Sequence, residues 1–316
     1  MTPSRVSQRA PLAETEALPV AGEWAYPPAD DEAVGLISGS WSLQAARRLL
    51  ANPSAMAGLL LLLLIVLLAL LAPLIARYDP ETYHDFLATN QLPSGSHWFG
   101  TDYLGRDLWS RVVYGSRISL PVGLGVVAIE FGIGVPLGLI AGYTGKLVDD
   151  LLMRLVDVKL ALPGLLLPLG VIAILGPSLK STIVALGIAG IPIYARLVRG
   201  TTLKLREQDY VAAARSMGCG NLKILFRHVL PNILDPLIVQ ATLSLGGAIL
   251  AASALSYLGV GTQPPTADWG TLLSSGYEHM FQAWSEVAFP GLAVCLAVLG
   301  INLLGDGLAD ALNPRL

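Results

Sequence analysis

From Met56 to Ala76 the chain is an uninterrupted apolar run, dominated by leucine and free of charge. As a helix rising 1.5 Å per residue it spans about 30 Å, the thickness of a bilayer's hydrocarbon core. No soluble core of a 316-residue chain needs such a segment, and the composition agrees: 53% of residues are hydrophobic and 14% charged. Soluble domains carry about 25% charged residues, and the mean hydropathy here is +0.61. The chain reads as a membrane protein before any motif is considered. A net charge of −3 gives no electrostatic reason to expect nucleic acid.

Five further apolar segments are predicted to cross: Ile118–Thr144, Leu151–Leu175, the shorter Leu179–Ala195, Pro236–Gly259 and Val287–Gly305. Backbone polar groups in hydrocarbon must pair within their own segment, so each is expected to be a helix. The fold class is therefore an all-α membrane protein with six transmembrane helices. Lysine and arginine in the short loops set orientation. Arg47 and Arg48 precede the first span, and Lys204, Arg206, Arg215, Lys223 and Arg227 lie between the fourth and fifth. The last loop, Val260 to Glu286, has none. Both termini are expected in the cytoplasm. The proline-rich, acidic residues 1–45 read as a disordered cytoplasmic tail. Residues 46–77 hold an amphipathic stretch and the first span, 78–116 an external loop, 117–310 the core, and 311–316 a cytoplasmic end.

Gly134, Gly138 and Gly142 recur at four-residue spacing, lining small residues on one face so that another helix can approach closely. Pro121, Pro136, Pro163 and Pro168 predict kinks. Glu130 lies near the middle of the second span and is a candidate pathway residue, since intramembrane carboxylates face the bundle interior or a water-filled cavity. The alternative is a neutral glutamate hydrogen-bonded to a neighbouring helix. Cys219 and Cys295 form no disulfide framework, and His84, His97, His228 and His279 show no metal-ligand spacing, so no metal is expected.

The loop 202–232 is the most specific stretch. Glu207 to Gly218 predicts a short helix with acids in its first turn, and Gly218 falls where a C-cap requires positive φ. Tyr210, Ala214 and Met217 share one face. A second helix follows, with Leu222, Leu225, Phe226 and Val229 on its expected apolar face and Pro231 leading into the fifth span. This helix–turn–helix resembles the EAA loop of ABC importer permeases, with its alanine pair Ala213–Ala214, Gly218, and closing Leu230–Pro231. Phe99-Gly100-Thr101-Asp102 with Leu104-Gly105-Arg106-Asp107, Gln263-Pro264-Pro265 with Trp269-Gly270, and Asn302 to Leu308 with Asp310 are similar to the second-type permeases of dipeptide, oligopeptide and nickel importers. Two positions depart from the pattern: Ala212 replaces the glutamate that names the loop, and Ala252 replaces one late in the fifth span.

The resemblance implies a type I ABC importer permease. It implies that Tyr210, Ala213, Ala214, Gly218, Leu230 and Pro231 couple to ATPase subunits, which would bind ATP and Mg. A second homologous permease and an external binding protein are the other implied partners, and the inner membrane the location. The chain itself has no Walker A sequence, since Gly145-Lys146 is followed by Leu147. It carries no nucleophile motif either. No catalytic residue and no cofactor are expected in it. An ion-gradient-driven secondary transporter is the alternative. It would need intramembrane acids beyond Glu130 and usually an internal repeat.

Overall fold

In a computed structural model, residues 40–312 are described. The expected tail, residues 1–45, lies largely outside them. The chain divides after Gln44, and its second unit, Ala45–Leu316, holds all the apolar helices. Helix α1 (Ser40–Ala51) ends one residue before α2 (Pro53–Ile75). Asn52 sits between them as a side-chain cap, its Oδ1 accepting from the Ser54 amide at 3.0 Å. Then come α3 (Leu108–Tyr143), α4 (Lys146–Leu160), α5 (Leu166–Leu175) and α6 (Leu179–Leu205). A hairpin holds α7 (Asp209–Ser216) and α8 (Asn221–Ile224), and α9 (Leu234–Tyr257), α10 (Trp269–His279) and α11 (Ser285–Leu312) complete the chain. Among the described residues there is only an isolated bridge, Thr101–Asp107, and no strand.

Five helical stretches are long and apolar enough to cross a membrane: α2, α3, α6, Asn221–Tyr257 and α11. The expected third span is not among them. It is two helices, amphipathic α4 and apolar α5, broken over 161–165 where Pro163 removes a donor. The fourth, expected to be short, runs 27 residues to Leu205, beyond its apolar part.

The glycine face decides how these pieces assemble. A Cβ on Gly134 would lie 2.6 Å from the Tyr194 Cβ, one on Gly138 2.6 Å from the Ala195 carbonyl oxygen, and one on Gly142 2.7 Å from the Thr202 Cβ. Nearer the helix starts, Gly125 faces Ile183 and Gly187 faces Ile129. The two sets of numbers rise together, so α3 and α6 run parallel. The segment between them must therefore travel the length of the bundle backwards, and α4 with α5 is that return. The chain makes six passes, one of them broken. Asp149 in α4 meets Arg199 Nε at 2.5 Å, and Asp157 meets Arg196, which ties the returning α4 to α6.

The end before α3 is a compact cap. Asp102 accepts from the amides of Leu104 and Arg106 and from Arg106 Nε at 2.7 Å. Gly100 and Gly105 adopt positive φ, and Asp107 caps α3 through the Ser110 amide. The expected external loop thus ends at Asp107. Trp269 is buried and donates from Nε1 to the Val112 carbonyl at 2.9 Å, docking α10 on α3. At the opposite end Gly307 of α11 meets Ala55 of α2, and the 242–243 region of α9 meets Gly305.

Gly138→Val should lower stability by about 1–3 kcal/mol, as overpacking does. The control is Gly132→Val, where an added Cβ meets nothing within 4 Å. Thermal unfolding of the two detergent-solubilised variants checks this; equal midpoints would show that the glycine face does not hold α3 against α6.

Candidate functional site

The hairpin between α6 and α9 sits below the parallel pair. Its first helix, α7, opens with Asp209, whose charge suits the positive end of the helix dipole. It closes at Met217, and Gly218 follows at φ +79°. There the Gly218 amide donates to Arg215 O at 3.0 Å and the Cys219 amide to Ala214 O at 3.1 Å, which satisfies carbonyls that the helix end leaves free. An added Cβ at Gly218 would meet nothing. The demand for glycine is conformational, as its place in the sequence predicted, and not a matter of space.

The second half departs from a regular helix. After α8 the chain widens into a π turn over Leu225–Val229, then tightens into a 3₁₀ turn over Leu230–Ile233. Pro231 has no N–H to continue the ladder, which is the physical cause of the change in pitch. Asn232 compensates, its Nδ2 donating to His228 O at 2.7 Å.

Burial divides the hairpin's apolar residues into two sets. Val211, Ala214, Ile224, Leu225, Val229 and Ile233 form one core with Val135 and Leu139 of α3 and Tyr194 and Val198 of α6. Tyr210, Met217, Leu222 and Phe226 point away and are exposed, Met217 by 77% and Leu222 by 71%. This corrects two expectations. Tyr210 and Met217, expected on one face with Ala214, are exposed, while Ala214 is buried in this core and presents no surface for a docked subunit. Only Leu225 and Val229 of the four residues expected on the second helix's apolar face are buried. Ile224 fills the place instead. A regular helical period cannot foresee which of two apolar flanks turns inward. Ala213 and Pro231 are exposed and Leu230 is half-buried. Partial burial holds the Tyr210 phenol above its ordinary pKa.

Polar contacts fasten the hairpin to the end of α3. Arg206 donates to Gly142 O at 3.0 Å, Arg215 lies over the Tyr143 ring, and the Tyr143 hydroxyl reaches Asn221 at 3.3 Å. Ala212, at the position of the expected glutamate, is exposed. The nearest acid before it in sequence with an ion-pair contact, Glu207, is 75% exposed beside Arg206. Ala252 is buried among Val122, Val126 and Ile172, where a carboxylate would have apolar neighbours.

Glu130 does not join the hairpin. It is buried between α3 and α6 against Gly190, where the absent side chain makes room for its carboxyl group. Its Oε2 and the Tyr194 hydroxyl make no hydrogen bond of regular geometry, the Ser244 hydroxyl lies beside both, and Lys159 is within electrostatic reach of Glu130. Among the described residues no cluster of His, Cys, Asp and Glu could hold a metal, and both cysteines are free thiols.

Residues 134–316 match the family model described as binding-protein-dependent transport system inner membrane component. Residues 40–93 match the N-terminal TM domain of oligopeptide transport permease C. The chain is 50% identical over 270 residues to the di/tripeptide transport system permease of Pseudomonas aeruginosa, covering 84% of this chain and 89% of that one. It is 44% identical over 292 residues to the dipeptide transport system permease of Alkalihalophilus pseudofirmus, covering 92% and 94%. It is also 44% identical over 270 residues to the glutathione transport system permease of Pectobacterium atrosepticum, covering 85% and 90%. The inward-facing methionine ABC transporter MetNI contains a chain of similar fold, with TM-score 0.53 and 21% identity, covering 65% of this chain and 97% of that one.

Gly218→Val places a β-branched residue at φ > 0 and should cost about 1–2 kcal/mol locally, whereas Gly218→Asn should cost less. Limited proteolysis of membranes should cut the valine variant faster within 208–221 while the spans stay protected. Equal cutting of all three proteins would show that the turn tolerates any residue.

Proposed function

Because this chain belongs to the inner membrane components of binding-protein-dependent transport systems, and is thus a permease subunit of an ABC importer, we propose that it forms half of a pathway for short peptides or related small solutes. Its relatives are named for dipeptides, tripeptides and glutathione, and one scaffold serves all of them. On this reading a second homologous permease supplies the other half, two ATPase subunits bind ATP and Mg, and an external binding protein delivers the cargo. The hairpin end, where Asn52 and Asp310 also meet, faces the cytoplasm, so both termini do.

The observation that carries the coupling role is the hairpin's second apolar face. Tyr210, Ala213, Met217, Leu222 and Phe226 are exposed beyond the end of the bundle, and exposed apolar patches mark interaction sites. Burying Met217 and Phe226 against an ATPase is worth about 1.5–3 kcal/mol per side chain. Ala214 and Leu230 hold the hairpin to the α3–α6 core, Gly218 sets its turn and Pro231 its change of pitch. A displacement of the docked hairpin is thereby passed to both helices. Ala212 removes one acid from this surface, leaving apolar contact as its main resource.

Phe226→Glu and Met217→Glu should leave the subunit inserted and paired with the second permease but strip the ATPases from it. Co-purification after detergent extraction, with uptake of a labelled dipeptide in proteoliposomes, reads both effects. ATPase retained by both variants would refute docking through this face.

Glu130 works, on this reading, from inside the subunit as a tie between α3 and α6, not as a wall of the pathway. Glu130→Gln keeps its shape in the space left by Gly190 while removing its charge, and should leave dipeptide uptake near the wild-type rate. A sharp fall in uptake by a stable complex would instead give its charge a role in transport.

A further inference from the structure

Charged side chains in the passes occupy different surroundings. Glu130 is buried, and Asp149 is largely covered where it meets Arg199. Asp157 of α4 and Arg196 of α6 differ: paired at 2.5 Å, their side chains are 59% and 54% exposed. Arg196 lies nine residues before the end of α6, about 14 Å of helix. Asp157 lies eleven residues into α4, about 17 Å. Arg154 and Asp150, one and two turns earlier on the same flank as Asp157, are exposed as well, while Val156, off that flank, is buried. A polar stripe thus climbs the third pass on a surface that this chain leaves open.

Such a stripe has no place against lipid. Charged groups within a membrane face a protein interior or a water-filled cavity. Arginine can extend its stem toward an interface, but aspartate has a single methylene and no such reach. Since this chain does not cover the pair, water or another subunit does.

We propose that Asp157 and Arg196 line the aqueous path and that their pair opens to take a zwitterionic solute. The Asp157 carboxylate then receives the ammonium group, and the Arg196 guanidinium receives the carboxylate. This rests on the reading of the chain as a peptide permease. The chemistry fits a free peptide, whose two ends carry one charge each. The ion pair balances itself while the path is empty, and guanidinium and carboxylate make strong two-pronged contacts. Exchange of one pair for two keeps every charge partnered throughout.

The test uses the complete importer in vesicles, with Cys219→Ser and Cys295→Ser as background. Asp157→Cys and Arg196→Cys are compared with Leu63→Cys on α2, a comparably exposed position (54%) in a charge-free helix. A charged, membrane-impermeant methanethiosulfonate should label both test positions at least about tenfold faster than the control, because the reactive thiolate forms in water. A saturating dipeptide should slow that labelling. Labelling no faster than at Leu63 would mean hydrocarbon or the second permease covers the pair, and would overturn the proposal. Fast labelling without protection, in an importer whose wild type takes up the dipeptide, would overturn the assignment of cargo contact. If the wild type takes up no dipeptide, the peptide reading and the zwitterion assignment fail together, while labelling alone still decides whether the pair lines water.

Discussion

The close approach of α3 and α6 along Gly134, Gly138 and Gly142 is the contact on which most of the structure depends. Lipid offers helices no hydrophobic reason to associate, so their contact depends on backbones fitting together. Glycine removes the side chains that would hold them apart, and the same device recurs at Gly187 and Gly190 on the facing helix. Because the pair runs parallel, the chain between them is forced to return through the bundle. That return is the least regular pass, an amphipathic helix and a short apolar one joined at Pro163. Its amphipathic half meets α6 through ion pairs to Arg196 and Arg199, and its apolar half packs through Ile172 into a core with Val122 and Val126.

The hairpin inherits its position from the same pair. Its inner side chains share one core with Val135, Leu139, Tyr194 and Val198, so it is an extension of the α3–α6 unit and not a loop hung from it. This contact, the bond from Arg206 to Gly142 O and the cluster at Tyr143 restrict its freedom to move alone. The change of pitch around Pro231 lets the chain turn from the hairpin into α9 without leaving the His228 carbonyl unpaired. The hairpin's exposed apolar face is thereby attached to the α3–α6 pair and not to a free loop.

Surroundings, more than residue type, separate the charges of the passes. A carboxylate lodged in the space left by Gly190 is enclosed within one subunit, while one exposed beside Arg196 faces outward from it. At the other end of the bundle Asp102, Arg106 and Asp107 are buried together and build the start of α3. That accounts physically for the sequence motif in which they stand.

The sequence by itself determined the properties that are local or summed along the chain. A charge-free leucine run has one stable solvent, a glycine between two short helices takes positive φ, and spaced glycines mark a helix face. The membrane class, most of the passes, the turn at Gly218 and the family motifs were legible for that reason. Only the tertiary structure decided matters that depend on a neighbour. These were the break at Pro163, the partner of the glycine face, the inward turn of Glu130, and the choice of Ile224 over Phe226 for the core. Hydropathy states how much of a residue prefers to leave water. Which side of a helix provides the cover is fixed by a helix distant in sequence, and no periodicity within the segment contains it.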